Sequence, residues 1–177
     1  MEQAPTYEVL PGLPPYGPRA VAFSATGQGT HQEGFVVRFN CSDGKSWAGN
    51  FQLGGSTFST VVPHPDGRRV VVIAGGQAYI VDPADSTYRE YISWCYDRVI
   101  PTPNLLILGS PIDFEAIGPV GMRWRTRRIS FDGIYDVHLS PDARTLLGEA
   151  WSPMTDELVA SQVNLEDGTV KGGCFGA

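Results

Sequence analysis

The run Met122-Arg123-Trp124-Arg125-Thr126-Arg127-Arg128 is the densest concentration of one chemistry in the chain, with four arginines within residues 123–128. On a β-strand side chains alternate between faces, so Arg123, Arg125 and Arg127 line one face and Met122, Trp124 and Thr126 the other. Guanidinium forks bond carboxylates and phosphates through paired N–H groups. One use of this strand, with Arg128 beside it, is therefore to bind an anionic ligand or an acidic partner. The competing use lies just upstream. Ile112-Asp113-Phe114-Glu115-Ala116-Ile117 reads as the preceding strand of the same hairpin, with Asp113 and Glu115 on one face and Ile112, Phe114 and Ala116 on the other. A loop of three or five residues sets these carboxylates opposite the arginines; a loop of four sets Glu115 opposite Trp124 and mixes the faces. A cross-strand charge ladder, at roughly 0.2–1 kcal/mol per pair, is the economical reading. Two carboxylates cannot saturate four guanidiniums, so positive surface should remain.

Tyr96-Asp97-Arg98 is the second polar group of interest. On an otherwise apolar inner strand, Asp97 and Arg98 would face a central channel and serve as ligand contacts there. Other chemistries find less support. His31, His64 and His138 lie far apart, a spacing that does not suggest a metal site. No Gly-x-Ser-x-Gly elbow occurs, and no catalytic residue is identified. Gly54-Gly55-Ser56-Thr57 and Gly75-Gly76 lack the lysine of a phosphate loop. Asp43, Asp82, Asp85, Asp142 and Asp167 lack the alternating carboxylates of a calcium loop and read as turn formers. No motif calls for a cofactor. Trp47, Trp94, Trp124 and Trp151 are spread along the chain; their large faces suit packing between neighbouring units, with a sugar-binding platform as the alternative.

The elements that must position these residues are strands. Glycine and proline, 21 and 14 in number, are scattered so widely that no long helix fits between them. Short runs such as Arg69-Val70-Val71-Val72-Ile73-Ala74 and Gly34-Phe35-Val36-Val37-Arg38-Phe39 are β-branched, aromatic and bounded by turn formers. The turns repeat. His64-Pro65-Asp66-Gly67, Thr102-Pro103-Asn104 and Ser140-Pro141-Asp142-Ala143 place proline at 65, 103 and 141, an interval of 38 residues both times (103 − 65 and 141 − 103). Ser24-Ala25-Thr26-Gly27 is a degenerate copy about one period earlier. A second turn recurs in Asn40-Cys41-Ser42-Asp43-Gly44, Asp82-Pro83-Ala84-Asp85-Ser86 and Asn164-Leu165-Glu166-Asp167-Gly168, with Gly118-Pro119-Val120-Gly121 in the same place in the third unit. Two turn signals in register predict four units, roughly 18–54, 55–92, 93–131 and 132–177, each a meander of four strands within a single domain. Thr6-Tyr7-Glu8-Val9-Leu10 is expected to add a strand that joins the first and last units.

The chain has 177 residues, 42% of them hydrophobic, enough for a well-buried core. Its formal net charge of -6 opposes long-range attraction to nucleic acid or an anionic membrane. The three cysteines, Cys41, Cys95 and Cys174, form neither a paired disulfide framework nor a Cys-x-x-Cys metal motif, and read as free thiols. Met1-Glu2-Gln3-Ala4-Pro5 does not start a signal peptide, and no apolar run approaches the ~20 residues of a membrane span, so the cytoplasm is expected.

A turn of Ser/His-Pro-Asp-Gly/Ala, followed by one of Asp-x-x-Asp-Gly/Ser, resembles the blade of a β-propeller. It is most similar to WD-repeat and related bacterial propellers, although the Trp-Asp dipeptide and the Gly-His pair of WD repeats are missing. The stretch from Trp124 to Gly133 also resembles segments of small bacterial proteins with no assigned function. The resemblance implies an all-β fold of four blades, closed around an axis, stacked openly or paired into an eight-bladed dimer, with a twisted β-sandwich as the rival. Repeats of this size bury their faces only by stacking on one another, and they offer broad binding surfaces. The expected function is non-catalytic binding of a protein partner through a rigid scaffold. The alternative is a small-molecule binder or enzyme with a polar site near the axis, using Asp97, Arg98 and the arginine strand for an anionic ligand. The oligomeric state is left open.

Overall fold

The computed structural model describes residues 6–27, 32–41, 43–93 and 95–175. His31, Ser42 and Trp94 lie outside the described residues. Sixteen strands form four four-stranded sheets. The first sheet holds β1 (Thr6–Leu10), β2 (Val21–Phe23), β3 (Phe35–Asn40) and β4 (Ser46–Phe51). The second holds β5 (Thr60–Pro63), β6 (Val70–Ala74), β7 (Gln77–Asp82) and β8 (Asp85–Ser93). The third holds β9 (Arg98–Pro101), β10 (Leu106–Gly109), β11 (Phe114–Gly118) and β12 (Gly121–Arg125). The fourth holds β13 (Ile134–Leu139), β14 (Thr145–Ser152), β15 (Glu157–Asn164) and β16 (Val170–Gly172). The chain divides into two compact units, residues 1–96 and 97–177, each with two sheets.

The last three sheets are antiparallel meanders, and their first turns carry the proline signature. In the second sheet the Gly67 amide donates to His64 O at 3.0 Å, and Gly67 takes φ +73°. In the fourth, the Ala143 amide donates to Ser140 O at 2.8 Å with φ +53°. The same left-handed position thus holds Gly in one turn and Ala in another, and only Gly occupies it without a Cβ penalty. The Asp66 carboxylate bonds the amides of Arg68 and Arg69, both at 2.9 Å, which is why aspartate follows the proline.

The first sheet departs from a meander, because its order is β1-β3-β4-β2 and β2 runs parallel to β4. Ser24–Gly27 does close the expected turn, with Gly27 N bonded to Ser24 O at 3.0 Å. No β-forming run follows it directly, as Arg69–Ala74 follows Gly67. Residues 24–34 form a connection between β2 and β3, long enough to carry the chain across to the far side of β4. The vacant position beside β3 is taken by β1, with Tyr7 opposite Phe39 and Glu8 opposite Arg38. β1 therefore completes the first sheet instead of joining the first and last.

Each unit has its own core. In the first, Phe23, Val37, Phe39 and Phe51 pack with Val61, Val70, Val72, Tyr79 and Val81. In the second, Ile107, Phe114, Ala116 and Trp124 pack with Ile134, Leu146, Ala150 and Val163. One tryptophan in each unit ties its two sheets together. Trp47 Nε1 donates to Pro83 O at 2.8 Å, and Trp124 Nε1 donates to Leu165 O at 2.9 Å. Pro83 and Leu165 are the second residues of equivalent turns, and each tryptophan lies three residues after a turn glycine, Gly44 or Gly121. These two tryptophans do pack between neighbouring sheets, as their size suggested.

Candidate functional site

The arginine strand is built into the third sheet. β11 and β12 are joined by the two-residue loop Pro119-Val120, with Gly118 opposite Gly121. The register then shifts: Ile117 faces Met122, but Ala116 faces Trp124 and Glu115 faces Arg125. Arg123 is the extra residue of a β-bulge. The bulge restores the register in which carboxylate meets arginine, which loop length alone does not provide. It also separates Met122, which is exposed, from Trp124, which is buried. Because β12 ends at Arg125, Arg127 lies beyond the strand and the expected row of three arginines is not formed.

Arg125 takes both carboxylates. Its Nη2 lies 2.9 Å from Asp113 Oδ2 and its Nη1 3.0 Å from Glu115 Oε1, with Nε donating to Asp113 Oδ2 at 3.1 Å. Asp113 and Glu115 are 7% and 3% exposed, so the pair is a buried double anion closed by one half-exposed cation. Arg127 Nη2 donates to Gly172 O at 3.0 Å, and its Nη1 donates to the carbonyls of Arg128 and Phe175. Arg128 donates to Ser130 O at 2.9 Å and Phe131 O at 2.8 Å, and its guanidinium lies 5.0 Å from the Phe175 ring centroid. Together these arginines hold the segment after β16 against residues 127–131, where Cys174 N also bonds Ile129 O at 2.8 Å. Carbonyls take three of the five N–H donors of Arg127 and two of those of Arg128 without neutralising either charge, so positive surface remains. Arg123 is exposed, and its aliphatic stem covers Gly118.

Asp97 and Arg98 are also paired. Arg98 Nε lies 2.6 Å from Asp97 Oδ1 and Nη2 3.0 Å from Oδ2, while Nη1 donates to Ile134 O at 2.7 Å. Arg98 thus links the third sheet to the fourth, and Tyr96 beside it is buried.

His138 contacts Asp136 O through Nδ1, and among the described residues no group of three or more His, Cys, Asp or Glu is placed to hold a metal ion. His64 is buried at its turn, where Nδ1 accepts the Asp66 amide at 3.2 Å. In that neutral tautomer the buried Nε2–H has no hydrogen-bond partner among the described residues. Burial pushes its pKa below the ordinary 6.5, against the attraction of Asp66. The unfolded chain then binds a proton that the folded chain resists. Stability from this site is present above pH 6.5 and falls as pH drops below it. Urea unfolding between about pH 7 and pH 5 should show this decline, and His64→Ser should flatten it. Asp66 acts in a lower window. Burial opposes its ionisation, but the Arg69 and Arg68 amides and the Arg69 guanidinium outweigh this and hold it well below the usual carboxylate range.

A different surface emerges from the pattern of burial. β6, β7, β10 and β11 are buried almost throughout. β14 and β15 instead alternate: Leu146, Ala150, Ser152, Ser161 and Val163 are buried, while Thr145, Leu147, Glu149, Trp151, Leu158, Ala160 and Gln162 turn the other way. This second face of the fourth sheet opens to solvent, with Tyr135 and Leu158 50% and 49% exposed. At its turn end lies an open groove of about 730 Å³, whose lining includes Asp142, Arg144, Gln162, Glu166, Asp167 and Lys171. One oxygen each of Asp142 and Asp167 is held by a turn amide, that of Arg144 at 3.2 Å and that of Thr169 at 2.8 Å. Arg144, Glu166 and Lys171 form no ion pair among the described residues. Asp142 and Asp167 read as turn formers in the sequence, and Arg144, Glu166 and Lys171 belong to no motif. The signal that finds them is alternation in 145–152 and 157–164 against continuous apolar runs elsewhere.

No family model matches the sequence, and no curated protein matches it. Among solved structures, dihydro-heme d1 dehydrogenase NirN in complex with DHE is similar over 80% of this chain and 32% of its own, with TM-score 0.52 and 18% identity. Two further structures cover the same share of this chain. A eukaryotic initiation factor has 10% identity, TM-score 0.41 and 40% of its own length covered; a putative TolB from Agrobacterium tumefaciens has 14%, 0.42 and 54%. The chain therefore spans from about a third to about half of the length of these proteins. What the likeness shows is the fold: an all-β chain of four four-stranded sheets, built like the blades of β-propeller proteins.

Proposed function

We propose that this chain is a non-catalytic binding protein whose rigid β scaffold engages another macromolecule, and that the docking surface is the open face of the fourth sheet. The observation that carries the reading is that this sheet alternates between buried and exposed side chains, so that one face packs in the core and the other meets solvent. Its groove is open and polar, with unpaired charges of both signs, which suits the surface of a macromolecule better than an enclosed small ligand. Against the anionic-ligand alternative stands the internal use of Arg98, Arg125, Arg127 and Arg128, each of which spends two or more N–H donors within the fold.

Immobilised wild-type chain and the double variant Arg144→Glu/Lys171→Glu should be compared in captures from the native cell at mild salt. The expected result is a stoichiometric binder, either a second copy or another protein, retained by the wild type and lost from a fully folded double variant. Equal retention by both would overturn the placement. Loss on a folded Arg123→Glu variant instead would return the site to the arginine strand.

A further inference from the structure

The charges on the open face have a symmetry that points to its occupant. The sheet order is β13-β14-β15-β16, so the Ser140–Thr145 turn lies between the first two strands and the Asn164–Thr169 turn between the last two, at the same end. A two-fold axis between β14 and β15, parallel to them and lying in the plane of contact, exchanges these two turns between copies. It sets Arg144 of one copy against Glu166 and Asp167 of the other, and Lys171 against Asp142. The same operation exchanges the cross-strand neighbours Trp151 and Leu158, so that each lies over its counterpart's partner. Isologous contacts require this pattern, in which residue i meets j and j meets i. Along the middle rows Leu147 meets Gln162, and Glu149 meets Ala160. The face is therefore complementary to itself in charge at the turn end and in apolar contact at Trp151 and Leu158, while the two rows between them set apolar against polar side chains.

We infer that the open face of the fourth sheet docks a second copy of this chain, as a two-fold dimer with the fourth sheets packed face to face. This rests on the reading of that face as the docking surface and names the macromolecule that occupies it. Sheet-on-sheet packing with interleaved side chains is an established way to bury such faces.

Sedimentation equilibrium of the purified full chain over about 1–100 μM tests the inference. Wild type should sediment as a reversible dimer. Arg144→Glu should weaken association about 10-fold or more, and the swap Arg144→Glu/Glu166→Arg should recover most of it by restoring opposite charges across the axis. Leu158→Glu, at a half-exposed position that a single chain tolerates, should also give monomer. A wild type monomeric throughout the range overturns the inference, as does a dimer unmoved by Arg144→Glu and Leu158→Glu. If the chain is monomeric yet captures a foreign protein in a manner abolished by Arg144→Glu/Lys171→Glu, the self-association falls and the binding role stands. If it is monomeric and captures nothing, both fall.

Discussion

Replacing Arg125 with methionine should lower the unfolding free energy by about 3 kcal/mol, whereas Arg123→Met should change it by less than about 0.5. The difference follows from what each guanidinium faces. Arg125 closes over two carboxylates that are almost wholly buried, 2.9 and 3.0 Å away. Without it, both carboxylates lose the guanidinium they share in a water-poor site, the costly way to break a buried pair. The guanidinium itself is half exposed, so water reaches the site, and the lower end of the usual 3–5 kcal/mol is appropriate. Lysine retains the charge but not the fork and should recover only part of the loss. Adding Asp113→Asn and Glu115→Gln to Arg125→Met should restore much of the stability, because neutral amides remove the unpaired charge. Urea unfolding of the wild type, Arg125→Met, Asp113→Asn/Glu115→Gln and the combined variant measures this coupling, and additive effects would show that the clamp is not a unit.

The second large effect is expected at Trp124. Its ring fills the second core, its Nε1 bonds Leu165 O, and the backbone of Gly168 lies flat against it. A Cβ on Gly168 would stand 2.9 Å from the ring, and Gly168 also takes φ +75°. The turn 164–168 is shaped around this one side chain. Trp124→Ala should cost about 4 kcal/mol through the cavity and the lost bond, and Trp124→Phe about half of that. A loss under 1 kcal/mol for the alanine variant in thermal or urea unfolding would show that the two sheets do not depend on this contact. A sugar-binding platform would leave the ring exposed, and Trp124 is not.

Much of this design is legible in residue types alone. Pro65, Pro103 and Pro141 mark the turns that open the second, third and fourth sheets, and the aspartates and glycines around them make the bonds their chemistry favours. Asp113 and Glu115 could be matched to the arginines because period-two alternation allows few registers. What stayed hidden depended on contacts distant in sequence. Ser24–Gly27 has the chemistry of a hairpin turn, yet the residues after it are polar where a β-forming run would be needed, and β1 pairs with β3 instead. The bulge at Arg123 has no signature, since any residue can be the extra one. Arg127 is held by carbonyls reached only through the fold, those of Gly172 and Phe175, 45 and 48 residues away. Backbone acceptors belong to every residue type, so no motif announces them.

The fourth sheet was readable but was not read first. A strand such as Val70–Ala74 is apolar at every position, whereas Thr145–Ser152 mixes Leu, Gly, Glu, Ala and Trp. That contrast separates a strand buried throughout from one with a face left open. Charged residues draw attention because they could do chemistry. Here the densest set serves the fold, while ordinary turn residues border the open surface.

The central claim is that the arginines of residues 123–128 are structural, and direct observation of their side chains tests it. NMR of the arginine Nε–Hε groups during titration with inorganic phosphate to about 10 mM covers any site with a dissociation constant up to the millimolar range. The account predicts that Arg125, Arg127 and Arg128 keep their resonances throughout, with at most a weak, non-saturating drift at Arg123. Saturable shifts shared by Arg125, Arg127 and Arg128 would contradict it and make the arginine strand an anion site.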